Sequence, residues 1–245
     1  MVVERVQGVP GMTMVNALWA SMRRNPWRWT AAMLVPLILF PAIDLGITAQ
    51  FYDPVQKIFP ARMSPMYEWV RRVMPYFMFA GAGYVLVLWL AGEVMGQVFL
   101  GIGRRVALFL LSSLALGPGL IVNVLLKDSW GRPRPSTIRE FDGPNYFVPP
   151  LVFSDQCDNN CSFSSGHGAL GFWPVAIALL VPAPWRGWAV AASLVFGGLV
   201  GFVRIAQGGH FFSDVVFSAV IVIGTTLWLH RRLLDGKDVA SRKNN

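Results

Sequence analysis

Charge is what this 245-residue sequence has least of. Only 14% of its residues are Asp, Glu, Lys or Arg, where a soluble domain carries about 25%, and 54% are hydrophobic. The deficit comes from long apolar runs. That excludes a soluble globular domain and points to an integral membrane protein. Histidine is rarer still, with three in the whole chain, and the two cysteines, Cys157 and Cys161, fall in one loop. So few nitrogen and sulfur ligands argue against a metal site. Also lacking are internal repeats and low-complexity tracts, so the chain reads as a single domain over residues 1–245. The N-terminus does not read as a cleavable signal, because Glu4, Arg5 and the Arg23-Arg24 pair stand where an apolar core and a small-residue cleavage site are expected.

What is present is a set of six apolar segments, each near the roughly 20 residues a bilayer crossing requires. They cover about 30–51, 74–92, 105–126, 167–183, 187–206 and 210–230. The fourth is short and punctuated by Pro182 and Pro184. Val15, Leu18, Trp19 and Met22 recur at helical spacing, so residues 1–29 form either a plain tail or a short helix lying on the membrane face. Lys and Arg outnumber Asp and Glu by 21 to 13, a net charge of +8. Cationic ends of membrane segments account for that excess better than nucleic acid does. Twelve of the cations lie in the N-terminal tail, the 93–105 loop, the 184–186 turn and the tail 231–245. The other nine share the 52–73 loop, the 127–166 loop and the 204–210 turn with most of the acids. The first set is therefore cytoplasmic, with both termini inside. The fold class expected is all-α: a polytopic membrane protein of six transmembrane helices whose functional face is periplasmic. Cys157 and Cys161 then lie outside, where a disulfide is permitted; two free thiols or half of a metal site are the alternatives.

Three stretches carry chemistry. The third segment runs into Lys127, with Arg134-Pro135 after a further six residues. Taken alone, this is a lysine anchoring a helix end and a proline turn. The fourth segment is introduced by Ser164-Ser165-Gly166-His167, where small residues at a helix start leave N–H groups for an anion. The plainer reading of either serine is an N-cap. The last stretch places Arg204 six residues before His210 and Asp214 four after it. If a helix begins at His210, Asp214 shares its face and accepts the proton of one imidazole nitrogen, leaving the other to attack an electrophile. By topology all three stretches meet at the exterior ends of segments three to six. Three cations there suit a phosphate dianion, and two histidines suit attack by one and protonation of the leaving oxygen by the other.

Lys-(six)-Arg-Pro, then Ser-Gly-His, then Arg-(five)-His-(three)-Asp resembles the type-2 phosphatidic acid phosphatase superfamily, which includes bacterial lipid phosphatases. The resemblance covers residues 127–214 by motif and the whole chain by helix plan. It implies that His210 is the nucleophile of a phosphohistidine intermediate, oriented by Asp214, and that His167 is the general acid. It further implies that Lys127, Arg134, Ser165, the Gly166 backbone and Arg204 bind phosphate, with neither metal nor other cofactor. Two positions depart from the pattern, Ser164 for the usual proline and Val203 for the usual serine. Neither removes a charged or nucleophilic group.

The expectation is a lipid phosphatase of the bacterial inner membrane whose partners are the bilayer and a membrane lipid phosphate. The Cys-x-x-x-Cys-Ser-Phe run before Ser-Gly-His resembles bacterial phosphatases acting on lipid A, at its 1- or 4'-phosphate. Undecaprenyl pyrophosphate and phosphatidylglycerophosphate are alternative substrates. Transfer of the phosphate to another lipid or glycan, vanadate-dependent halide oxidation, and an inactive transporter or scaffold are the rival activities. Asp44 and Asn123 are further candidates to support the site from behind, whereas His230 and Glu93 read as ends of segments.

Overall fold

The structure is a computed structural model that describes residues 10–235, with side chains from residue 14 onward. The first nine residues of the expected N-terminal tail and residues 236–245 of the C-terminal one, with Arg5, Lys237, Arg242 and Lys243, lie outside the described residues. Among the described residues the chain is helical and has no named strand, only two isolated bridges.

The helices are α1 (Pro10–Arg24), α2 (Pro26–Leu39), α3 (Ala42–Ala49), α4 (Pro65–Met95), α5 (Arg104–Leu126), α6 (Gly166–Phe172), α7 (Val175–Ala178), α8 (Ala183–Ala206) and α9 (Phe212–Asp235). Four of them, α4, α5, α8 and α9, are long and apolar enough to cross a membrane. A fifth crossing results if α2 and α3 are counted together. That pair is bent by 84° at Phe40-Pro41, where proline supplies no N–H and disfavours a helical residue before it.

Two further expected segments differ from what is observed. The second begins at Pro65, nine residues before the expected position 74. Hydropathy marks Glu68, Arg71 and Arg72 as loop. In the structure Glu68 accepts from Arg71 Nε at 2.7 Å and from Arg72 Nε at 2.5 Å, one helical turn apart. Such i,i+3 and i,i+4 pairs support the first turns of α4. The fourth segment, 167–183, is two short helices, α6 and α7, interrupted at Trp173-Pro174. The N-terminal stretch contains a helix, α1, which packs on α8. Trp19 and Met22 turn toward an apolar cavity while Leu18 stays exposed.

The last part of α5 is wound as a π-helix over Ala115–Leu126. Pro118 lies inside it and has no N–H to give, so the ladder slips to wider spacing. Asn123 Nδ2 takes up the Pro118 carbonyl at 2.7 Å, and the Lys127 N–H reaches back five residues to Val122. The short helix α6 is packed between α8 and α9. It approaches α8 through Gly171 and Gly197, where a Cβ on Gly171 would stand 3.2 Å from the Gly197 Cα. Trp173 then ties this region to α5, its Nε1 donating to Ser113 Oγ at 3.0 Å. Residues such as Phe77, Val87, Leu90, Val195 and Leu199 remain on the outer faces of α4 and α8. At one end of the bundle the α3 residue Asp44, the start of α4, the C-terminal ends of α5 and α8 and the starts of α6 and α9 come together with the 127–166 loop.

Candidate active site

His210 is buried in the turn between α8 and α9, with 1% of its surface exposed. Its main-chain N–H and that of Gly209 both donate to the Arg204 carbonyl, which closes the turn. The imidazole Nδ1 lies 2.7 Å from the Ser162 carbonyl oxygen. A carbonyl can only accept, so Nδ1 carries the proton and Nε2 keeps a free lone pair.

Asp214 does not meet His210 in the way the spacing predicts. The helix begins at Phe212 and not at His210, so Asp214 is its third residue, and Asp214 Oδ2 accepts the Phe211 N–H at 2.8 Å. The same oxygen takes the Ser162 hydroxyl at 2.5 Å, and Oδ1 takes Arg132 Nη1 at 2.6 Å. With those donors satisfied, the carboxylate stands 3.8 Å from His210 Nδ1. Asp214 thus reaches the imidazole through Ser162, whose hydroxyl it holds and whose carbonyl holds the ring.

Arg132 is the centre of this substructure and is wholly buried. Its Nη2 donates to Asp44 at 2.8 Å, Nη1 to Ser213 at 2.9 Å and to Asp214, and Nε to the Val148 carbonyl at 2.8 Å. The ring of Phe211 stacks on it at 4.3 Å. Asp44 in turn accepts the Ser213 N–H at 2.8 Å and its hydroxyl at 2.5 Å. One guanidinium between two carboxylates therefore fastens α3, the 127–166 loop and the start of α9 at one point. The sequence pattern selects Arg134 and passes over Arg132, and it assigns no role to Ser162 or Ser213; burial and partners bring them out.

The remaining site residues surround this frame. Ser165 caps α6, its Oγ accepting the Gly168 N–H at 3.2 Å, so its own hydroxyl proton stays available to donate. Gly166 passes so close to α5 that a Cβ on it would lie 2.3 Å from Asn123 Oδ1 and 3.2 Å from Lys127 Nζ. Burial pulls the Lys127 ammonium down to about 8, and Arg134 and Arg204 push the same way. Burial likewise pushes His210 down to about 3, with Asp214 opposing and Lys127 and Arg204 adding to the fall. At neutral pH the His210 ring is therefore neutral.

His167 Nε2 lies 3.0 Å from the Arg71 carbonyl on α4, which fixes a proton on Nε2 and leaves Nδ1 free. Lys127 and Arg204 lie within electrostatic reach of both His167 and His210. Arg134 donates through Nε and Nη2 to the Asn160 carbonyl, at 3.0 and 2.6 Å. Arg204 bonds Gln207 and rests against Gly209, and its buried Nε has no hydrogen-bond partner among the described residues. Arg134 and Arg204 open onto a cavity of about 420 Å³ whose other charged walls are Arg62, Arg71, Arg72 and Glu68. Arg71 and Arg72 enter because α4 starts early, which hydropathy hides, and Arg62 enters from the 3-10 turn Pro60–Arg62 that precedes it.

Of the other sequence candidates, Cys157 and Cys161 are joined by a disulfide in the loop over the site, their Cα atoms 5.7 Å apart. His230 lies near Asp235 and Phe109, and Glu93 accepts from Trp89, both on helix ends distant in sequence from the motif residues. Asp44 belongs to the Arg132 frame and Asn123 to the π-helical end of α5.

A pocket holding a neutral His210 imidazole, free N–H and O–H donors and several cations can bind an oxyanion and attack it. The comparisons with known proteins agree with that chemistry. The chain is 37% identical to a lipid A 4'-phosphatase of Francisella tularensis subsp. novicida (strain U112), over 77% of this chain and 85% of the relative. It is 31% identical to a lipid A 4'-phosphatase of Rhizobium leguminosarum, over 83% of this chain and 93% of the relative. A lipid A 4'-phosphatase of Rhizobium etli is 30% identical over 83% of this chain and 84% of the relative. No solved structure matches the chain. Residues 106–236, which contain both histidines and every motif cation, match the PAP2 superfamily model, and the chain belongs to that superfamily.

Proposed function

We propose that this protein is an integral-membrane phosphatase that hydrolyses a phosphomonoester of lipid A, at the 4' position that names its relatives. The observation that carries the mechanism is the His210 imidazole, buried with its Nδ1 proton given to the Ser162 carbonyl. Nε2 attacks phosphorus, forming an N–P bond as the P–O bond to the lipid breaks. In its imidazolium form, which the bound phosphate dianion favours, His167 keeps its Nε2 proton on the Arg71 carbonyl and delivers the one on Nδ1 to the leaving oxygen. It then takes a proton from the water that attacks the phosphohistidine, releasing phosphate and restoring His210. Lys127, Arg134, Arg204, the Ser165 hydroxyl and the Gly166 N–H hold the phosphoryl oxygens and the charge of the transition state. Asp214 orients His210 through Ser162. Every step uses this chain's own side chains and water.

The fold as we read it is one membrane-embedded domain over residues 1–245, with six crossings. The α6–α7 segment makes the fourth, short crossing and the α2–α3 pair the first. Both termini are cytoplasmic, and the site faces the periplasmic side of the bacterial inner membrane. The loop carrying Cys157 and Cys161 then lies in an oxidising compartment, which suits its disulfide.

The test of substrate is phosphate release by purified protein from a micellar panel of lipid A, phosphatidylglycerophosphate and undecaprenyl pyrophosphate. Lipid A losing its 4'-phosphate at the highest kcat/KM is the expected result. Preference for either other lipid would overturn the substrate, and phosphate appearing on an acceptor lipid would overturn hydrolysis.

A further inference from the structure

The motif cations do not account for the charge of the cavity. Besides Arg134 and Arg204, it is walled by Arg62, Arg71 and Arg72, with Glu68 as its single acid. Lys127 adds a further cation within reach of Arg134 and Arg204. A phosphomonoester dianion offsets two of these charges, and even with Glu68 counted, several remain uncompensated at the edge of a low-dielectric membrane, where like charges repel strongly.

The three extra arginines are also built into place. Glu68 accepts from Arg71 Nε and Nη2, at 2.7 and 2.5 Å, and from Arg72 Nε at 2.5 Å, so one carboxylate aligns two guanidinium groups on the first turns of α4. Arg62, on the short 3-10 turn Pro60–Arg62, donates Nε to the Gln207 carbonyl at 2.7 Å and Nη2 to Ser136 at 2.5 Å. It is thereby fixed to the same turn that carries Arg204 and His210. Each arginine keeps at least one terminal nitrogen without an acceptor among the described residues. Arg72 engages Glu68 through Nε only, and its side chain is 70% exposed. A solvated cluster with no ligand needs no such scaffold, and pairing within α4 does not account for Arg62, which is held from outside that helix by Gln207, 145 positions further along the chain.

We propose that Arg62, Arg71 and Arg72 form a second anion subsite, outside the phosphate being hydrolysed, for another phosphate or carboxylate on the same headgroup. The inference rests on the phosphatase reading and narrows it: the site selects headgroups with two anionic groups over those with one. Arg134, between the two groups of cations, borders both subsites. The second anion supplies binding energy away from the reacting atoms, which raises kcat/KM and orients the headgroup without entering the chemistry.

The experiment compares phosphate release from a bis-phosphorylated lipid A disaccharide with release from its counterpart carrying only the scissile phosphate, both in neutral detergent micelles. The proposal expects kcat/KM to favour the doubly charged substrate by about tenfold or more, the scale of one charge-assisted hydrogen bond. In Arg62→Gln and Arg72→Gln, that ratio falls toward one. Arg72→Lys, which keeps the charge, retains part of it. Equal rates on the two substrates in the wild type, or a ratio unmoved in both glutamine variants, overturn the subsite while leaving the phosphatase intact. Release from neither substrate defeats the phosphatase reading itself. A third arm adds phosphatidylglycerol to the micelles. If the singly phosphorylated substrate then rises to the rate of the other, the second anion comes from a neighbouring lipid, and the same-headgroup assignment is wrong.

Discussion

Two side chains, the buried His210 and the half-buried Lys127, decide what the site can do at a given pH. His210 is held neutral by burial and by Lys127 and Arg204, with a pKa near 3. It is therefore not the group that limits activity between pH 5 and pH 8. Lys127, lowered to about 8 by burial and the adjacent arginines, is cationic below that value and loses its charge as pH rises through it. The kcat/KM profile is expected to fall on the alkaline side near pH 8, because KM rises when the free site loses a phosphate-binding cation. A bound phosphate favours the charged lysine, so the corresponding limb of kcat lies higher. Lys127→Arg is expected to remove the limb up to about pH 9.5, arginine staying protonated throughout; a limb that stays near pH 8 in this variant would assign it elsewhere. Arg132 acts at the same scale, on stability. Arg132→Met leaves Asp44 and Asp214 buried without their shared cation, and is expected to cost about 3–5 kcal/mol in unfolding experiments in micelles. A loss below about 1 kcal/mol would mean that the two carboxylates do not depend on it.

At the scale of elements, the site is made by helix ends rather than by helix faces. The π-helical turn of α5 places Lys127 and Asn123 against the start of α6, and only glycine at position 166 fits between them. Gly166→Ala puts a methyl 2.3 Å from Asn123 Oδ1 and forces the two helix ends apart. An expected fall of about tenfold to a hundredfold in kcat/KM follows from displacing the cradle by about an ångström, with unchanged yield of folded protein. Activity within about twofold of the wild type would show that the ends can move freely. The spacing of Lys127, Ser165, His167, Arg204 and His210 was enough to bring these ends together, since each falls at a break in hydropathy. What hydropathy could not give was the start of α4. Glu68, Arg71 and Arg72 read as loop charges until their pairing along one helix is seen. Nor could it show that α9 starts two residues past His210, a shift that turns Asp214 from a direct partner of the imidazole into the residue that holds Ser162.

For the whole molecule, an all-helical membrane protein follows from apolar runs and scarce charge. The number of crossings follows less directly, because Pro41 and Pro174 break two of the six runs into shorter helices. The frame joining α3, the 127–166 loop and α9 was beyond the sequence for another reason. Asp44 and Asp214 are separated by 170 positions and are brought together by Arg132 and by the bonds of Ser213 to Asp44. That frame holds the turn on which His210 sits, and the account stands or falls on His210 as the nucleophile. The most direct measurement quenches turnover of a lipid A labelled in its 4'-phosphate into alkali, where an N–P bond survives, and maps the label on the protein. Label on the peptide containing His210, its loss in His210→Ala together with a fall in phosphate release of about a thousandfold or more, is the expected result. Label on another residue, or phosphate release near the wild-type rate from His210→Ala, would contradict it.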